Sequence, residues 1–180
     1  MSRSLSALAA ALVLLAAAPA HAEPLPGPVE DLIAPVEDLV GEVESLDGSE
    51  SESKQGRTIT VALTSDVLFA LDKYALSGKA RQRIAAVATK IKDESAGGVI
   101  RIAGHTDDQG SDDYNVSLSL KRAQAVSRVL RAALNGQPVS FEAKGYGEAR
   151  PKLPNQVEGR AIESNRAKNR RVEIVFDAKE

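Results

Sequence analysis

Cysteine and tryptophan are absent from the chain, and phenylalanine and tyrosine number three each. Without cysteine there is no disulfide, no thiol nucleophile, no cysteine-ligated metal and no lipid-modified cysteine at a processed N-terminus. With aromatics at 3%, a core must be built from Val, Ile, Leu and Ala. His105 is the only histidine beyond residue 22, so a zinc site would draw most of its ligands from carboxylates, an unusual set. No serine stands in a Gly-x-Ser-x-Gly pattern, which leaves a nucleophile elbow out. Asp107, Asp108, Asp112 and Asp113 lack the alternating spacing of a calcium loop. Neither a metal nor an organic cofactor is called for.

What is present suffices for one packed domain with accessory segments: 180 residues, 43% hydrophobic and 27% charged. The N-terminus reads as an export signal over residues 1–22. Arg3 precedes an apolar run from Leu5 to Ala18, Pro19 ends it, and Ala20-His21-Ala22 supplies small residues for cleavage. That run is short for the roughly 20 residues that span a bilayer. No later segment is apolar enough to cross a membrane, so no span is expected in the mature chain.

The formal charge of −2 hides an asymmetry. From Glu23 to Glu52 there are ten acidic residues and no basic one, whereas from Lys54 onward 22 basic residues face 15 acidic ones, a net charge of +7. Residues 23–56 therefore read as an acidic repeat and linker segment. Pro28-Val29-Glu30-Asp31-Leu32 recurs as Pro35-Val36-Glu37-Asp38-Leu39, with a looser copy at Glu42-Val43-Glu44-Ser45-Leu46. Val29, Val36 and Val43 keep heptad spacing, as do Leu32, Leu39 and Leu46, but Pro35 interrupts any helix there. A flexible acidic spacer and a short helical segment for self-association or a protein partner both fit. Ser45 to Ser53 has linker composition.

From residue 57 to 180 the pattern is that of one domain. Ile59, Val61 and Leu63 alternate with polar residues, as do Val139, Phe141 and Ala143, and Val172, Ile174 and Phe176. Val99 to Ala103 supplies a fourth strand. Lys79 to Lys92 places Ala80, Ile84, Val87 and Ile91 on one helical stripe, capped by Ser77. Leu118 to Leu134 places Ala123, Val126 and Leu130 on another, stopped by Asn135-Gly136. The order predicts an α+β two-layer sandwich, a βαβαβ-β mixed sheet with two helices on one face. The passage from the strand at Val99 through the second helix to Val139 is a βαβ unit.

The densest polar stretch, Gly104-His105-Thr106-Asp107-Asp108-Gln109-Gly110, lies between a strand and a helix, a usual place for binding loops. Asn115 and Arg122 follow two helical turns apart. Asp107 and Arg122 carry opposite signs, which suits a zwitterionic guest bearing an ammonium and a carboxylate. Spacing alone serves equally for a surface ion pair between them. His105 is expected to hydrogen-bond the loop.

Gly104-His105-Thr106-Asp107, Tyr114-Asn115, Leu118-Ser119, Arg122-Ala123, Gly145-Tyr146-Gly147-Glu148, Pro151 and Asn169-Arg170-Arg171-Val172 together resemble the signature of the OmpA-like C-terminal domain, over about Thr58 to Phe176. The resemblance implies non-covalent binding of peptidoglycan through the diaminopimelate of its peptide stem, in a cell-envelope protein that is not an enzyme. It implies that Asp107 and Arg122 hold the diaminopimelate. Asn115, Arg170, Asp72 and Thr106 match further ligand-lining positions. One departure is a longer loop before Asn169: both Glu158-Gly159-Arg160-Ala161 and Asn165-Arg166-Ala167 match family features there.

Three other functions have features that can be compared with this sequence. A wall-remodelling hydrolase would use Asp107 or His105. An interaction scaffold would act through the acidic segment. A nucleic-acid site at Arg160 to Arg171 would need aromatic platforms that the stretch lacks.

Overall fold

The computed structural model describes residues 41–180. The expected export signal and the first two repeat copies lie outside these residues. In chain order the elements are β1 (Gly41–Glu44), β2 (Glu50–Gln55), β3 (Thr58–Thr64), α1 (Ser65–Leu68), α2 (Gly78–Glu94), β4 (Gly98–Gly104), α3 (Asp112–Ala133), β5 (Val139–Gly145), β6 (Gln156–Val157), β7 (Arg160–Ala161), α4 (Glu163–Asn169) and β8 (Arg171–Asp177). Six strands form one sheet in the order β1-β2-β3-β8-β4-β5. The β4–β5 pair is parallel and the other neighbours are antiparallel. Among the described residues no helix is long and apolar enough to cross a membrane.

The alternating strands bury one face, as expected for a sheet covered on one side. Ile59, Val61, Leu63, Ile100, Ile102, Val172, Ile174 and Phe176 meet Ile84, Val87 and Ile91 of α2 and Val126 and Leu130 of α3. Burial of each large aliphatic side chain contributes about 1.5–3 kcal/mol. Ser77 caps α2, accepting from Ala80 N at 3.0 Å. Gly136, at φ +83°, takes the left-handed turn after α3.

Helix α3 begins six residues before Leu118, at Asp112. Ser111 Oγ accepts from Tyr114 N, and Asp112 and Asp113 sit in the first turn, where negative charge complements the helix dipole. The early start brings Asn115 into the same helix as Arg122. Two glycines set the depth of that helix. A Cβ on Gly104 would stand 2.1 Å from Ser119 O, and one on Gly145 2.4 Å from Leu120 N. The backbone of α3 therefore lies directly against the ends of β4 and β5.

The N-terminal edge differs from expectation. Residues 45–53, read as linker, supply a turn and most of β2, and the third repeat copy is strand rather than helix. Gly41 to Glu44 pairs with Ser51 to Lys54, and Glu50 to Gln55 with Thr58 to Leu63. Val43 and Leu46, the heptad positions, are exposed. Asp47 organises the turn, accepting from Ser45 Oγ at 2.8 Å and Ser49 N at 3.0 Å. Ion pairs tie the hairpin to the domain: Glu52 with Lys90 (3.0 Å), Glu44 with Lys168 (3.1 Å) and Glu42 with Lys152. The sheet thus extends N-terminal of Arg57.

The long loop before β8 carries β6, β7 and α4. Buried Asn169 secures it, its Oδ1 accepting from Lys152 N (2.8 Å) and Leu153 N (3.0 Å) while its Nδ2 donates to Leu153 O (2.7 Å).

Candidate functional site

A cavity of about 460 Å³ opens at the end of β4, walled by residues 66–72, the loop after β4, the first half of α3, and α4 with Arg170. Asp72, Thr106, Asp107, Asn115, Arg122 and Arg170 all line it. The structure thus brings together the six residues that the sequence singled out. Thr106, Asp107, Asn115 and Arg122 are buried, while Asp72 is exposed and has a left-handed backbone at φ +55°.

Asp107 and Arg122 are not a surface ion pair. Asp107 Oδ2 accepts from Arg170 Nη1 at 2.7 Å, and its Oδ1 accepts from Gln109 N at 3.1 Å. Arg170 also donates to Glu163 Oε1 (2.9 Å) and Asp66 Oδ2 (3.1 Å). Burial works against the charge of Arg170, yet the bonds to Asp66, Asp107 and Glu163 outweigh it and hold its pKa above the ordinary arginine value.

Arg122 is in the opposite condition. It is 5% exposed, and among the described residues no carboxylate lies within ion-pair distance of it. Its Nε donates to Lys73 O at 3.0 Å, and its guanidinium lies 5.2 Å from the Phe69 ring centre. Burial lowers its pKa, against the attraction of Asp66 and Asp72. A buried cation with this little compensation is costly to the fold. It is chemically ready for a carboxylate, which guanidinium binds bidentately.

Asn115 holds the floor of the site: its Nδ2 donates to Glu148 Oε2 at 2.8 Å and approaches Asp107 O at 3.4 Å. Thr106 is held through its backbone, N donating to Gly147 O at 2.9 Å, and its Oγ1 is buried without a protein partner.

His105 does not hydrogen-bond the loop as expected. Its ring stacks on Tyr146, with centroids 5.4 Å apart. Nε2 stands 3.5 Å from Glu173 Oε2, at the outer limit of a hydrogen bond, and neither ring nitrogen has a well-formed partner.

Asp66, Glu163 and the supporting Glu148 were not picked out from the sequence. Glu148 lies inside the Gly145-Tyr146-Gly147-Glu148 motif, a usable signal. Asp66 and Glu163 belong to no motif, and only folding brings them to Arg170.

A mixed sheet carrying two helices on one face, with a cleft lined by acids and arginines at the end of β4, defines an α+β domain with a charged pocket. The chain belongs to the OmpA family, whose sequence model matches residues 68–170. It is 37% identical over 112 residues to the peptidoglycan-associated lipoprotein of Legionella pneumophila, covering 62% of this chain and 59% of that protein. The chain thus spans less than two thirds of that relative. The putative lipoprotein YfiB of Escherichia coli K12 is 36% identical over 119 residues, 65% of this chain and 69% of that protein. The solved cell wall anchor of the T6SS from Pseudomonas aeruginosa superposes with a TM-score of 0.60 at 24% identity, covering 74% of this chain and 90% of that one. That last likeness is one of fold.

Proposed function

We propose that this domain binds peptidoglycan non-covalently and without turnover, gripping the diaminopimelate of the peptide stem and so anchoring the chain to the wall of the cell envelope. The observation that carries the reading is Arg122, a buried guanidinium lining the same cleft as Asp107, with no carboxylate at ion-pair distance among the described residues. The free end of diaminopimelate carries an ammonium and a carboxylate. Its carboxylate would meet Arg122 and its ammonium would meet Asp107. Thr106, Asn115, Asp72 and Arg170 would line the guest. Membership of the OmpA family, and the association with peptidoglycan that the Legionella relative's name records, support the wall as ligand. Residues 1–22 would direct export, and the acidic segment ahead of the sheet would be the part that the domain tethers.

Incubation with purified peptidoglycan tests this. The expected result is co-sedimentation with no release of soluble muropeptides. Fragments accumulating with time would instead identify a hydrolase. Titration with stem peptides in which the internal residue is diaminopimelate or lysine tests the stem residue, because peptide-bound lysine offers an ammonium but no carboxylate at its free end. Equal affinity for the two would overturn the two-ended grip.

A further inference from the structure

We propose that Asp66 and Glu163 are specificity-determining residues that make the pocket select a charged amino group at the end of the guest nearest Arg170. The inference rests on the reading of the pocket as a peptide-stem site, and it adds two residues to that reading.

One guanidinium, Arg170, bonds three carboxylates: Asp107 at 2.7 Å, Glu163 at 2.9 Å and Asp66 at 3.1 Å. One positive charge offsets one of the three. Nearby Arg166 also attracts Asp107 and Glu163, but its partner Asp108, 2.7 Å away, adds an equal negative charge and leaves the balance as it was. The group around Arg170 therefore carries two more negative than positive charges, and Arg122, which Asp66 attracts without contact, has no carboxylate at ion-pair distance among the described residues.

Position divides the work among the three acids. The Asp107 side chain is 6% exposed and lies at the base. Asp66 and Glu163 are 60% and 66% exposed and stand at the mouth. Asp66 comes from α1 and Glu163 opens α4, so two separate elements place carboxylates on the same cation. A carboxylate approaching Arg170 meets these acids first and is repelled. An ammonium is drawn in and relieves their mutual repulsion. An acylated, uncharged amine gains nothing there.

The test is calorimetric titration of the whole chain with three probes: diaminopimelate, N,N′-diacetyl-diaminopimelate and pimelate, which lacks both amines. The wild type is expected to prefer diaminopimelate. Asp66→Asn and Glu163→Gln should each weaken diaminopimelate binding about threefold, as suits exposed charges, and the pair together about tenfold. The effect should shrink at high salt. Affinity for the diacetyl compound, a dianion, should not fall and should rise as the repelling acids are removed, so the ratio between the two ligands falls, and Glu163→Asp should restore most of it. A general structural role would weaken all ligands alike. An unaltered ratio in the double variant, or tighter binding of pimelate to the wild type than to that variant, overturns the proposal and leaves the pocket assignment standing. If the wild type binds none of the probes, the assignment itself fails.

Discussion

Arg170, and not Arg122, holds the carboxylate of Asp107: Nη1 lies 2.7 Å from Oδ2 across 63 positions of sequence. The two arginines of the pocket therefore differ in kind. Arg170 is saturated with acids and fixes the loop that bears Asp107. Arg122 is buried and, among the described residues, makes a single hydrogen bond, from Nε to Lys73 O.

That contrast separates stability from binding at Arg122. Arg122→Met keeps the length and packing of the side chain and removes a poorly compensated buried charge. We predict that the variant is as stable as the wild type or more stable by about 1–2 kcal/mol, measured by urea unfolding. Binding to peptidoglycan should weaken by the equivalent of about 2–5 kcal/mol, measured by co-sedimentation. A variant that loses stability and binding together would assign Arg122 to the fold instead.

A second prediction concerns pH. Burial would raise the carboxyl of Glu173, but His105 and the charge of Arg171, 2.8 Å away, hold it at about 2, below its ordinary 4.5. A depressed folded-state pKa contributes stability above the unfolded value and loses it as pH falls through the folded one. Glu173 should thus contribute up to about 3 kcal/mol at neutral pH, lost between pH 4.5 and 2. Glu173→Gln should be less stable at pH 7, with the gap to wild type closing over that interval in thermal melts.

The glycines give a matched pair. Gly104→Ala forces a methyl against Ser119 O at 2.1 Å, so α3 must lift from the sheet, at a cost of about 3 kcal/mol or more. Gly78→Ala, in the first turn of α2, meets nothing within 4 Å and should stabilise by about 0.4–1 kcal/mol. Differential scanning calorimetry on both variants checks the contrast.

The fourth prediction addresses where the domain begins. A chain started at Arg57 lacks β1 and β2 and exposes the outer edge of β3, whose backbone groups are otherwise paired with Glu50 to Gln55. An unpaired edge invites association with other chains. Such a chain should melt at a lower temperature than one started at Gly41 and should self-associate, seen by light scattering. Identical behaviour would return residues 41–56 to the status of a linker.

The central part of the fold was legible because its residues are buried on one side. Ile59, Val61 and Leu63, and Val172, Ile174 and Phe176, alternate because one face meets the helices, and the stripe from Ala80 to Ile91 repeats for the same reason. The hairpin was not legible because Glu50-Ser51-Glu52-Ser53-Lys54-Gln55 buries no apolar face; backbone pairing and ion pairs hold it, and neither writes a hydrophobic period into sequence. At the site, Asp107, Thr106, Asn115 and Arg122 stand close together in a recognisable run. Asp66 and Glu163 reach Arg170 only through the placement of α1 and of a loop whose length departs from the family pattern.

The hairpin at the sheet's margin also has a mechanical meaning. Load arriving along the chain at Gly41 acts first on the open end of β1, opposite Lys54, and peels it toward the turn one pair at a time. Strand β2 then meets the pull at its own open end, where Glu50 faces Leu63. Unravelled to residue 57, this stretch spans at most about 55 Å. The apolar core begins at Ile59 and would not yet be strained, so the cavity at the end of β4 would keep its shape while the hairpin opened.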